Sequence, residues 1–305
     1  MVGFFIFGLV SCDSNEHYVK SEAPEIVRWS LPTTNIVDVL SIEPNECLPA
    51  APTDSQVLGR LAFRSPFLLG GQAARRGLTC QACHGQGQVN ENFFVVGLSE
   101  TPGTADVTSF HFSDVLGDES FNPVPIPSLS DDFETVDFDP DKTDLEKFVL
   151  RLITKEFTGP EPSPEVKTAL LSYLRGVSDE HCTTPYIERE ALLAYQLKSV
   201  RQSYAALTDS KVTVETFDFM VAALRVELGR LHNRFPNHSG LQEKLAVMSQ
   251  SLRGASMETG ETKALYGEWP ELEAALTAAY PRSLYHPHII QEWAAARRKA
   301  VGSAP

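Results

Sequence analysis

The sequence predicts a mainly α-helical protein, and three observations predict it. Apolar stripes at helical spacing fill the chain beyond Tyr186, helix-start signals stand at Thr53, Thr143 and Ser163, and no βαβ pattern is readable. Thr53 is an N-cap for "DSQVLGRLAF", whose Val57, Leu58, Leu61 and Ala62 fall on one helical face. "TDLEKFVLRLITKEF" opens with a capping box from Thr143 to Glu146. "SPEVKTALLSYLRGV" has Ser163 as N-cap, Pro164 at the first helical position and Gly176 as a stop. Segments near 187–207, 213–235, 240–254, 269–279 and 287–299 each carry an apolar stripe, for example Phe217, Met220, Val221, Leu224, Leu228 and Leu231. Short loops between them imply antiparallel packing in a bundle. One short extended candidate, "NIVDVLSI", lies near the N-terminal end.

With 305 residues, about two domains are expected, and the charge distribution divides the chain the same way. The formal net charge is −14; Met1 to Tyr186 carries the excess acid and the remainder is close to neutral. Such a chain lacks the basic stripe that nucleic acid requires. Between Gln86 and Asp131, Gly, Pro, Asn and Ser recur and no amphipathic helix of useful length appears. A loop this long inside a compact domain is usually functional, and wrapping a cofactor is one such use.

The first residues, "MVGFFIFGLVSC", form an apolar run too short to span a bilayer, followed by polar "DSNEHYVKSE". The Leu9-Val10-Ser11-Cys12 sequence resembles the lipobox of bacterial lipoproteins, in which the Cys becomes the lipidated first residue, although no Lys or Arg precedes the run. That resemblance implies export and a lipid anchor at Cys12 on the periplasmic side of a bacterial membrane. Asp13, next in the chain, resembles a signal for staying in the inner membrane. Residues 13–51 then read as a tether and wrapping arm.

The stretch Thr79-Cys80-Gln81-Ala82-Cys83-His84-Gly85 places two thiols and an imidazole within five residues. A zinc site would need a second ligand pair, and the other close histidine cluster, His286-Pro287-His288, sits in a Pro turn. A dithiol redox site belongs where a strand runs into a helix in a βαβ context. Cys-x-x-Cys-His is instead the attachment sequence of a c-type haem. On one helical turn the two thiols can form thioethers to the vinyl groups while the adjacent imidazole faces the iron. Cys80 and Cys83 are therefore the expected attachment points of a haem c, and His84 its expected axial ligand.

The order of elements around this motif carries a family resemblance. "LGRLAF" precedes it, Ile126-Pro127-Ser128-Leu129 follows the loop, and the Ser163–Val177 helix closes the region. Over about Gln56 to Val177 the chain resembles one haem domain of the bacterial di-haem cytochrome c peroxidase family. The resemblance implies a cytochrome c-like haem domain over 52–185, followed here by an α-helical bundle domain over 186–305. Two departures stand out: the family has two haem motifs and this chain has one, and "SDDFETVDFDPDKTD" lacks the Met that usually ligates the second axial face. The iron is then either five-coordinate or ligated by another residue, of which His111 is the leading candidate; Tyr173, Glu100 and Met257 are weaker, while Met220 and Met248 lie on apolar stripes that suit a core. Arg75 and Arg76 are candidates to pair with haem propionates.

Of five cysteines, Cys47 and Cys182 are left over, and export permits a bridge between them, the alternative being two buried free thiols. The acidic run from Asp131 to Glu146 begins like a calcium loop at Asp137, Asp139 and Asp141, but Lys142 replaces the required Gly and Phe148 the closing Glu. It is a solvated face or a docking surface for a basic redox partner. The functional expectation is an exported mono-haem c electron carrier working with a redox partner protein. The competing readings are a haem peroxidase or oxidase component using Glu100 or His111 as acid/base group beside a partner haem protein, and an adaptor lipoprotein whose helical half binds a partner.

Overall fold

The computed structural model describes residues 43–109, 117–129, 145–182, 184, 186–209 and 211–302. The "NIVDVLSI" strand candidate, Cys12, His111, the Thr143 cap and the Asp137–Asp141 run all lie outside the described residues. The fold is mainly helical.

The first long helix, α1 (Asp54–Phe63), starts at a complete capping box: the Thr53 N–H donates to Gln56 Oε1 at 2.9 Å and the Gln56 N–H to Thr53 Oγ1 at 3.2 Å. All seven residues from Val57 to Phe63 are buried, so this helix is enclosed on every side rather than along one stripe. Two short helices follow, α2 (Gly71–Arg75) and α3 (Cys80–Cys83). Next, α4 (Leu145–Arg151) runs into a single π-turn over Leu152–Glu156. Helix α5 (Pro164–Gly176) starts where Ser163 Oγ accepts the Val166 N–H, with Pro164 in the first turn.

Helices α1 and α5 cross in close contact at Gly59. A Cβ there would overlap the Ala169 carbonyl and Tyr173 Cβ, which explains why the residue is glycine. Next to the crossing, the rings of Phe63 and Tyr173 pack with centroids 5.1 Å apart.

Beyond position 186 the described residues form five α-helices: α6 (Leu192–Asp209), α7 (Val214–Asn233), α8 (Ser239–Gly254), α9 (Glu261–Ala278) and α10 (Pro287–Gly302). Helix α9 begins eight residues before the stripe expected near 269, and Pro270 lies inside it. Proline removes one donor from the helical ladder, but the buried Leu265, Trp269, Leu272 and Leu276 form one continuous apolar stripe across it. Two-residue strands complete the elements. β1 (Glu43–Pro44) pairs antiparallel with β4 (Tyr186–Ile187), and β2 (Thr104–Ala105) with β3 (Val124–Pro125).

The main hydrophobic cluster takes residues from both sides of position 186: Leu58, Leu61 and Tyr173 belong to it, and so do Leu197, Leu224, Leu245 and Trp269. Two small clusters surround the Cys-x-x-Cys turn, one on Leu69, Ala73 and Leu98, the other on Phe93, Ala105 and Ile126. Among the described residues no helix is long and apolar enough to cross a membrane.

Candidate cofactor site

Helix α3 is a single turn that carries Cys80 and Cys83 at its two ends, with Thr79 in extended backbone before it. The His84 N–H donates to the Cys80 carbonyl at 2.8 Å, so the imidazole follows directly from that turn. Asn90 clamps the turn from the far side: its side-chain amide donates to the Ala82 carbonyl at 2.8 Å and its backbone N–H to the Cys83 carbonyl at 3.0 Å.

The Ile126–Leu129 turn is laced to the same segment. His84 Nδ1 lies 3.0 Å from the Pro127 carbonyl, the Leu129 N–H donates to the Gly87 carbonyl at 2.8 Å, and Ser128 Oγ donates to Gln88 Oε1 at 3.1 Å. Because a carbonyl only accepts, the bond to Pro127 requires the proton on Nδ1, which leaves Nε2 as the ring position with a free lone pair.

Cys80 and Cys83 are free thiols, not joined to each other. Both are partly accessible at the surface yet ringed by protein atoms, and this burial pushes each thiol up to about 12, with the neighbouring Cys80 adding to the effect at Cys83. A dithiol redox centre needs a thiolate near neutral pH, so this environment does not suit one. Burial likewise pushes His84 down to about 4, against the opposing pull of the Pro127 bond, which keeps the imidazole neutral.

The surroundings are apolar on both sides of the turn. Cys80, with Leu78 and Val95, packs against the cluster of Leu69, Ala73 and Leu98, and Cys83 against that of Phe93, Ala105 and Ile126. Apolar walls, two unbridged thiols on one turn and a neutral imidazole with Nε2 open form a donor set that fits a thioether-linked macrocycle. Among the described residues no group of three or more His, Cys, Asp or Glu side chains converges as a metal cage.

The remaining sequence candidates are dispersed. Arg75 ends α2 and Arg76 follows it, both exposed. Glu100 is exposed in a turn in which its N–H donates to Thr104 Oγ1. Met220 and Met248 are buried in the main cluster, Met257 is exposed, and Tyr173 is enclosed at the α1–α5 crossing. Cys47 and Cys182 are joined in a disulfide, with Cα atoms 4.7 Å apart. It ties the arm before α1 to the segment after α5, where the Ser178 N–H also donates to the Cys47 carbonyl.

Sequence reasoning missed a buried polar lattice beneath the turn. Arg60 on α1 and Arg64 at its C-cap, one helical turn apart, are both almost fully buried. Arg60 pairs with Glu46 at 3.1 Å and donates to the Ser199 carbonyl and Gln202 Oε1 on α6. Arg64 pairs with Glu227 on α7 at 3.0 Å, and Arg230 also pairs with Glu227 while donating to the Arg64 carbonyl at 2.7 Å. Burial alone would raise the Glu227 carboxyl, but Arg64 and Arg230 hold it below its ordinary value. Arginine is seldom buried unpaired, so the readable signal was Arg60 inside the apolar run of α1 with Arg64 four residues on at its end.

Compared with family models, curated proteins and solved structures, the chain finds no match.

Proposed function

We propose that this protein is an exported mono-haem c electron carrier, its haem region resembling one half of the di-haem cytochrome c peroxidase family and its N-terminus anchored through a lipid on Cys12. The observation that carries the reading is the geometry at His84. Nδ1 is committed to the Pro127 carbonyl at 3.0 Å, so Nε2 is the position left for iron, and two free thiols precede it on one helical turn. Haem c, when bound, supplies one-electron exchange at its iron. Cys80 and Cys83 would fix the macrocycle, His84 would give one axial bond, and Pro127 would hold the imidazole in its tautomer. Phe93, Leu98, Ala105 and Ile126 would exclude water from the ring face, which raises the influence of nearby charges on the potential.

The close α1–α5 crossing also supports the reading, because the glycine it requires is the Gly of the "LGRLAF" pattern that carries the resemblance. Expression with haem-maturation machinery tests the proposal: the parent should carry covalent haem on a denaturing gel, and Cys80→Ser with Cys83→Ser should lose it. A parent without covalent haem overturns the proposal. A low-spin ferric spectrum fits a carrier, whereas a high-spin spectrum with rapid peroxide reaction would move the reading to a peroxidase or oxidase component fed by a partner haem protein. For the anchor, Cys12→Ser should shift the protein from the membrane to the soluble fraction. Continued membrane retention would count against lipidation.

A further inference from the structure

Gln86 lies two residues beyond His84, is fully buried and has φ 55°, ψ 30°, a left-handed backbone that favours glycine. Glycine could make this turn without strain, yet a long amide side chain occupies the position. Such strain persists where the surroundings over-determine it. Here they do. The Gln86 N–H donates to Gln81 Oε1 at 3.0 Å, inside the Cys-x-x-Cys turn. Its side-chain oxygen accepts from Arg64 Nη1 at 3.4 Å, and its side-chain nitrogen donates to Glu43 Oε2 at 3.4 Å.

The two side-chain contacts lead away from the motif. The other oxygen of Glu43 accepts from Gln196 Nε2 on α6 at 3.2 Å, and Gln196 Oε1 accepts the Tyr285 hydroxyl. Arg64 leads through Glu227 to Arg230 on α7. The turn itself is closed by the Gly87 N–H on the His84 carbonyl at 3.0 Å, while Pro127 holds the ring. Gln86, bonded to Gln81 in the Cys-x-x-Cys turn and two residues from His84, thus links the motif to charges supplied by the arm, the C-cap of α1 and α7.

We propose that Gln86 is a positioning residue through which the helical half fixes the orientation of His84 and sets the reduction potential of the haem. The inference rests on the haem reading above. Arg64, Arg230, Glu227 and Glu43 together carry no net charge. Removing the Glu43 carboxylate leaves a net positive charge behind the ligand, which favours the reduced iron and raises the potential.

The test uses the haem-loaded full chain with two variants, Gln86→Gly, which keeps the left-handed turn but deletes the side chain, and Glu43→Gln. Covalent haem on a denaturing gel is expected in both. Gln86→Gly should alter the ferric EPR g-values and shift electron exchange with a mediator about tenfold, about 59 mV for a one-electron couple. Glu43→Gln should raise the potential. Lowered melting temperatures with the parent's g-values and potential would reduce Gln86 to a structural part and overturn the proposal. If Gln86→Gly does not fold, an unmoved potential in Glu43→Gln overturns it alone. A parent without covalent haem overturns the haem reading and this one with it, whereas a haem-loaded parent with unmoved variants overturns this one only.

Discussion

Replacing Glu227 with alanine is expected to destabilise the protein by about 3–5 kcal/mol, the cost of leaving buried charges without their partner. Two guanidinium groups lose it at once, because Arg64 and Arg230 both pair with Glu227. Denaturant unfolding of Glu227→Ala should show a lower midpoint. The quadruple variant Arg64→Met, Glu227→Leu, Arg230→Met, Glu43→Gln should recover much of the loss, since replacing a whole buried ion cluster by uncharged groups is often neutral. A loss in Glu227→Ala below about 1 kcal/mol would mean that the lattice is weak. Acid sensitivity gives the sign independently. The folded Glu227 carboxyl lies below its ordinary value of 4.5, so its contribution is complete above that pH and is lost as the pH falls through the lower folded value. Glu227→Ala should therefore flatten the acid limb of the stability profile below pH 4.5.

Opening the Cys47–Cys182 disulfide should have an effect of the same order. The bond closes a loop with a sequence separation of 135 residues, and chain entropy for a loop of this length places the loss at about 3–5 kcal/mol. Cys47→Ser with Cys182→Ser, or reduction of the parent, should lower the melting temperature. Limited proteolysis should then cut first in the arm around Glu43–Ala50, because β1 is only two residues long and its pairing with β4 is slight. An unchanged melting temperature on full reduction would show that the folded contacts alone hold the arm.

What the sequence made legible was local. Thr53 with Gln56, and Ser163 with the Val166 N–H, start helices because side chains a few residues away satisfy the first free N–H groups, and Pro164 has none to satisfy; that chemistry is written in adjacent letters. The Cys80–His84 spacing is legible for the same reason. The burial of Arg60 and Arg64 was not, because their carboxylate and carbonyl partners come from Glu46, Ser199 and Glu227, up to 163 residues away. Gln86 was equally hidden: nothing in its neighbours shows a left-handed backbone, and the bonds that hold it there come from Glu43 and Arg64. The start of α9 was displaced because Pro270 reads locally as a break, whereas packing of Leu265 and Trp269 carries the helix across it.

The contact at Gly59 also orders events in time. It joins α1 to α5 across more than a hundred residues of intervening chain, and that chain contains the whole Cys80–His84 segment. Contacts of such wide separation form late, since the entropy of closing the loop must be met before packing returns it. Until Gly59 and Ala169 meet, the loop that carries Cys80 and Cys83 stays open. A mutation that speeds the docking of these two helices would shorten that interval without touching either cysteine.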